Sequence, residues 1–173
     1  MSNINLIIEE RPREVGNFMV GRLLPFRNKR MVGPFIFIDH MGPVDGQNMD
    51  VASHPHIGLS TLTYLFEGRV LHKDSLGNEI EIKPNQVNWM TAGSGIVHSE
   101  RTPGYMRSNP GVSHGLQIWV AFPKNLNKCR LRFFMHRKRN YLRGNPVIFR
   151  TSLLPAAYLG KPHRCRYIRR CIF

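Results

Sequence analysis

Two short triplets hold the residues best able to do chemistry, His54-Pro55-His56 and His98-Ser99-Glu100. Each sets two metal-capable side chains at i and i+2. Alternate residues of a β-strand project from one face, so an extended triplet aims both of its side chains at the same side of a sheet. Two such strands facing each other bring together three imidazoles and one carboxylate. That donor set suits a borderline ion such as Fe(II), with Mn, Ni, Cu or Zn as competitors. Four protein ligands in an octahedral shell leave two positions for substrate or oxygen. Imidazole binds in its neutral form, and a carboxylate offsets part of the ion's charge. Taken alone, either triplet also occurs by chance in ordinary chains, so the elements around them carry the decision.

Those elements read as β-strands. Phe35–Ile38, Ser60–Phe66, Arg69–His72, Glu79–Ile82, Val87–Met90 and Leu116–Phe122 are strand-like runs. Turn signals separate them, among them Gly42-Pro43, Asp45-Gly46, Glu67-Gly68, Lys83-Pro84-Asn85 and Ala92-Gly93-Ser94-Gly95. Short strands at this spacing predict an all-β sandwich or barrel. Leu62, Tyr64 and Phe66 share one strand face and Thr61, Thr63 and Leu65 the other; Gln117 and Trp119 oppose His114, Leu116, Ile118 and Val120. Nothing before Pro123 has convincing helical periodicity over ten residues. Asp74-Ser75-Leu76-Gly77-Asn78 reads as a hairpin connection. Gly93 and Gly95 allow a tight bend just before the second triplet.

The charge divides the chain. The net +14 would suggest a nucleic-acid or anionic-membrane partner. Met1–Pro123, however, has eleven Lys and Arg against eleven Asp and Glu, whereas Lys124–Phe173 has fourteen basic residues and no acid. That tail also contains Cys129, Cys165 and Cys171, whose spacing matches no zinc-site pattern. It has three readings: a translation that has left its ancestral reading frame, a basic arm that binds nucleic acid, or a segment that docks on a partner. No apolar run approaches the roughly 18 residues of a membrane span, and the N-terminus does not read as a signal peptide. A cytoplasmic protein is the expectation, or a nuclear one in a eukaryote.

Longer motifs surround the triplets. Phe37-Ile38-Asp39-His40-Met41-Gly42-Pro43 is followed by His54 to Tyr64, by Trp89 to Glu100, and by His114-Gly115-Leu116-Gln117-Ile118-Trp119-Val120. In this order they resemble the cupin superfamily and specifically the pirin family, over roughly Arg11 to Pro123. Against the general cupin pattern, His54, His56 and Gly68 match the first motif, and Gly95 and His98 the second. Thr61 stands where many cupins have a glutamate ligand, and Gly93 replaces the usual proline. The carboxylate sits instead at Glu100, as in pirins.

The resemblance implies a cupin jelly-roll barrel, a double-stranded β-helix, with iron held by His54, His56, His98 and Glu100. It also implies quercetin 2,3-dioxygenase chemistry. Glu100 would accept the 3-hydroxyl proton of a flavonol, whose ring then opens in dioxygen with release of carbon monoxide. Eukaryotic pirins act as transcriptional cofactors, so the contrasting expectation is a metal-dependent module that binds a protein partner without catalysis. The remaining histidines have plainer readings. His40 serves the turn at Gly42-Pro43 or faces a substrate; His72 and His114 are ordinary strand histidines, with His114 able to line the barrel mouth. Trp89, Trp119 and the phenylalanines are expected in the core.

Relatives of this kind continue into a second, acidic cupin domain, whereas Lys124–Phe173 matches nothing in it. The expected organisation is therefore a cupin domain over residues 1–123 and a basic, poorly packed or disordered tail over residues 124–173, with the second barrel largely missing. Such a truncated relative is expected to expose apolar surface, to associate and to lose stability, and a further reading is a non-functional truncated pirin.

Overall fold

The computed structural model of the chain describes residues 5–123 and the strand at residues 132–137, the latter by backbone alone. The strands in chain order are β1 (Arg11–Val15), β2 (Phe18–Leu24), β3 (Phe35–Asp45), β4 (Asp50–His56), β5 (Leu59–Glu67), β6 (Val70–Asp74), β7 (Glu79–Ile82), β8 (Gln86–Thr91), β9 (Ile96–Arg101), β10 (Val112–Ala121) and β11 (Arg132–Arg137). A single 3-10 turn at Gly104–Met106 is the only helical element among the described residues. None of their helices is long and apolar enough to cross a membrane.

All strand pairs are antiparallel, in a seven-stranded sheet ordered β1-β2-β3-β10-β5-β8-β11 and a four-stranded sheet ordered β4-β9-β6-β7. The core joins the two sheets. Phe18, Val20, Met41 and Leu65 of the larger sheet cluster with Val70 and Ile82 of the smaller one and with Met49. Burial of these side chains is the main favourable term that holds the sheets together.

Most strands run past their predicted limits, β3 furthest of all, and β11 is an added strand. β3 continues through Gly42-Pro43, where a turn was expected, because β10 pairs with it on both sides of an irregularity at Ser113/Gly115. Beyond Pro123, β11 adds to the edge strand β8 with Phe133 opposite Met90. The described residues fall within one compact unit, and residues 139–173 lie outside the described residues.

The predicted faces of β5 are present, but its polar-rich face points inward. Thr61, Thr63 and Leu65 are each buried, whereas Leu62 and Tyr64 are half-buried and Phe66 is exposed. Buried hydroxyls need partners, and Thr63 finds its own in Glu100 of the second triplet, on the smaller sheet, and in Gln117 of β10. On β10, likewise, Gln117 reaches Thr63 and Trp119 reaches His56.

Candidate metal centre

Both triplets are strands, and the strands are neighbours. In the β4/β9 ladder His54 lies directly opposite His98, and His56 lies opposite Ile96. Val51 and Glu100 form the next pair, across a bulge. The three imidazoles meet on the inner face, with ring centroids 4.4 Å apart for His54–His98, 4.9 Å for His54–His56 and 5.0 Å for His56–His98. One ligand atom from each lies within 4.8 Å of the other two. Donors about 2.1 Å from a common ion sit roughly 3–4 Å apart, so a modest contraction around an ion suffices.

Glu100 belongs to a second such group, with His98 and His72. The four residues expected together are thus divided: three imidazoles form one set, and the carboxylate sits with the shared His98. The Thr63 hydroxyl helps hold it there, with its Oγ1 3.0 Å from Glu100 Oε1 and 2.8 Å from Gln117 Oε1. A hydroxyl has one proton, so Thr63 can donate to only one of these acceptors at a time.

The electrostatics favour neutral imidazoles. Burial, reinforced by the nearby His54, lowers the pKa of His56 to about 4. Burial, with His54, His72 and His56 adding to it, lowers that of His98 to about 2. At neutral pH no proton competes for their lone pairs. Burial acts the other way on Glu100 and raises its pKa, against the opposing pull of His72, the Thr63 hydrogen bond and His54. His54 donates from Nδ1 to the Ala52 carbonyl at 2.8 Å, which leaves Nε2 as its lone-pair nitrogen. His98 Nε2 is buried without a hydrogen-bond partner. An orphaned buried nitrogen costs on the order of 1–3 kcal/mol, and a metal ion relieves that cost. The residues present therefore fit an ion.

Around the histidines the walls are aromatic and tight. Trp119 meets His56 edge-on at 5.1 Å and stacks on Phe37 at 4.1 Å. Arg22 lies over Phe37 at 4.4 Å and holds the buried Asp39 through two 2.8 Å hydrogen bonds. Beside Glu100 the barrel retains a cavity of only about 20 Å³, lined in part by Thr63, Gln117, Met41 and Val70. That holds one water.

The bend before the second triplet accounts for one departure from the cupin pattern. Gly93 has φ 45°, and its carbonyl accepts a 2.8 Å hydrogen bond from Gly58 N just after the first triplet. Proline, fixed near −65°, cannot adopt that conformation.

His72 and His114 lie on strands β6 and β10, as expected of them. His40 pairs with Glu10 Oε1 at 2.6 Å and with His114 Nε2 at 2.9 Å, outside the site. His72 is fully buried, with its ring 5.0 Å from that of His98. The signal for His72 was present: His72 and Asp74 repeat the i, i+2 spacing that marked the two triplets.

Two sheets closed over a polar, histidine-lined interior define a cupin barrel with a site able to hold a metal ion. Within that class the chain belongs to the pirin family, whose family model, described as Pirin, matches residues 17–120. A pirin-like protein of Caulobacter vibrioides is 54% identical over 138 residues, covering 77% of this chain and 48% of the relative. A crystal structure of quercetin 2,3-dioxygenase from Acinetobacter baumannii superposes with TM-score 0.70 at 41% identity, covering 75% of this chain and 44% of that one. The Escherichia coli bacterial pirin solved in complex with nickel(II) gives TM-score 0.58 at 26% identity, covering 74% and 54%. The chain spans about half the length of the curated relatives it matches.

Proposed function

We propose that His54, His56 and His98 hold a divalent ion with Glu100 as fourth donor, and that the centre oxidises a flavonol-like substrate as a quercetin 2,3-dioxygenase. The donor set favours Fe(II), with Mn, Ni, Cu or Zn as competitors. One observation supports this above the rest: three imidazoles converge, and His98 Nε2 is buried with no other partner. The similarity to an Acinetobacter baumannii quercetin 2,3-dioxygenase supports the reaction class, and that to a nickel-bound pirin supports metal loading.

When bound, the ion supplies Lewis acidity and orients the reactants. His56 and His98 meet it unprotonated, for the reasons of burial given above. Glu100 is the base: with its pKa raised by burial, it takes up a proton more readily than an exposed carboxylate. The 3-hydroxyl proton of the flavonol passes to that carboxylate, and Thr63 can turn its own hydroxyl proton to Gln117 as Glu100 becomes neutral. A cavity of about 20 Å³ excludes the ring system from the space behind Glu100. Drug-sized ligands need a few hundred Å³, so the rings stay on the side of the half-buried His54.

The test uses the full chain loaded with Fe(II). Elemental analysis should find bound metal that His98→Ala loses, and flavonol absorbance should decay with release of carbon monoxide. Metal uptake without flavonol turnover would refute the dioxygenase reading alone. Ring cleavage unchanged in Glu100→Ala would remove Glu100 as the base.

A further inference from the structure

Behind His98 lies a chain of buried groups that the metal reading does not use. His98 Nδ1 is 3.3 Å from His72 Nδ1, and His72 Nε2 is 3.4 Å from Asp74 Oδ2. The side chains of His72 and Asp74 are both 0% exposed. Strand pairing sets the order, since β6 runs beside β9 with His72 opposite Glu100 and Asp74 opposite His98.

Asp74 is the fixed end. Its Oδ1 accepts from the backbone N–H groups of Leu76 at 2.9 Å and Asn78 at 3.1 Å, and its Oδ2 accepts from Asn78 Nδ2 at 2.8 Å. Burial works to raise its pKa, but the hydrogen bonds from Asn78, Leu76 and His72 outweigh it, and the carboxyl stays below its ordinary value. An ionised carboxylate only accepts. His72 must therefore present Nε2–H to Asp74, which leaves a lone pair on its Nδ1. That lone pair accepts from His98 Nδ1–H, and the remaining lone pair of His98 falls on Nε2, the orphaned atom at the site.

We propose that Asp74 and His72 are positioning residues that fix His98 as the Nδ1–H tautomer and aim its Nε2 lone pair into the metal centre. This deepens the metal reading and rests on it for its purpose, although the tautomer itself can be measured without metal. Hydrogen-bonded partners of this kind orient ligating imidazoles, and their loss typically weakens metal affinity 10- to 100-fold. A competing assignment makes His72 itself a ligand, with His98 and Glu100. In it His98 would ligate through Nδ1, the atom 3.3 Å from His72 Nδ1, and its buried Nε2 would stay without a partner.

The experiment takes the chelator-treated full chain, labelled with 15N at histidine, and reads each ring's protonated nitrogen by NMR. Nickel(II) affinity is then measured for the wild type, Asp74→Asn, His72→Phe and His98→Ala. His98 should be protonated at Nδ1 and His72 at Nε2. Asp74→Asn and His72→Phe should each mix the His98 tautomers and weaken nickel binding 10- to 100-fold, with His54 signals unmoved. His72→Phe covers the case in which Asp74→Asn disrupts the hairpin. His98 protonated at Nε2 in the wild type would overturn the proposal. So would nickel affinity within twofold of wild type in both variants, or loss in His72→Phe as complete as in His98→Ala, which would make His72 a ligand. If the wild type binds no ion, the metal reading fails while the tautomer measurement still decides the relay.

Discussion

Acid should destabilise the metal-free chain along a slope that three buried groups set. An unfolded histidine titrates near 6.5, whereas burial holds His56 at about 4 and His98 at about 2 in the folded chain. Between pH 5 and 6 the unfolded chain therefore binds more protons at these two positions than the folded chain, and stability falls as pH falls. Two protons correspond to about 2.7 kcal/mol per pH unit at most. Glu100 opposes them. Its folded pKa is raised above 4.5, so just above that value the folded chain keeps a proton that the unfolded chain releases. Where Glu100 is protonated, the net difference drops to one proton, or about 1.4 kcal/mol per unit. The carboxyls lowered in the folded state (Asp50, Asp74 and Glu81) lose their contributions mainly below this window. Glu100→Gln removes the opposing proton and keeps an acceptor for Thr63, so its slope should steepen toward the two-proton value. Urea unfolding of chelator-treated wild type and variant at half-unit pH steps measures both slopes. A domain has roughly 5–15 kcal/mol of stability in all, so the effect is readily resolved. A flat or inverted wild-type slope would refute the assignment of neutral histidines, and a variant slope no steeper than the wild type's would refute the upward shift of Glu100.

Nickel(II) at 100 times its dissociation constant should stabilise the chelator-treated chain by about 2.7 kcal/mol, and His98→Ala should abolish that gain in thermal melts. Asp39→Asn should cost about 3–5 kcal/mol in urea unfolding, because Arg22 would lose the carboxylate that binds it through two hydrogen bonds in a largely buried pair. A loss below about 1 kcal/mol would show that solvent already screens the pair. Gly115→Ala should destabilise by about 1–3 kcal/mol, since a Cβ there would lie 2.6 Å from the Tyr64 carbonyl oxygen and 2.8 Å from Leu65 Cδ2. An unchanged melting temperature would mean that β5 and β10 separate freely.

The alternating runs were legible because their signal is local. Glu79–Ile82 is a strand as read, and Ser60–Phe66 and Val87–Met90 extend by only a residue or so at each end. β1 and β2 were missed: Arg11-Pro12-Arg13-Glu14-Val15 has little apolar alternation, and it holds its place by pairing with β2. The inward turn of Thr61 and Thr63 was also hidden. A rule that sends apolar faces inward fails where the interior must support a polar site, and hydrogen bonds to Glu100 and Gln117 compensate for burying Thr63. For His72 the sequence offers only its i, i+2 spacing with Asp74, and strand pairing is what sets these two opposite Glu100 and His98.

The same distinction explains how far the ligands themselves could be read. Spacing alone fixes that His54 and His56 share a face, and that His98 and Glu100 do. Whether the two pairs share one face depends on register, and register here depends on a bulge. Val51 pairs with Glu100, and regular pairing from there would set Ser53 opposite His98 and His54 opposite Val97. Directly opposed residues project to the same side, so His54 would then face away from His98. The extra residue between Val51 and His54 restores the match and brings His54 opposite His98. Each triplet is thus a local fact of the sequence, whereas the convergence of the three imidazoles is a property of the irregular stretch Ala52-Ser53, which contains no metal-binding residue of its own.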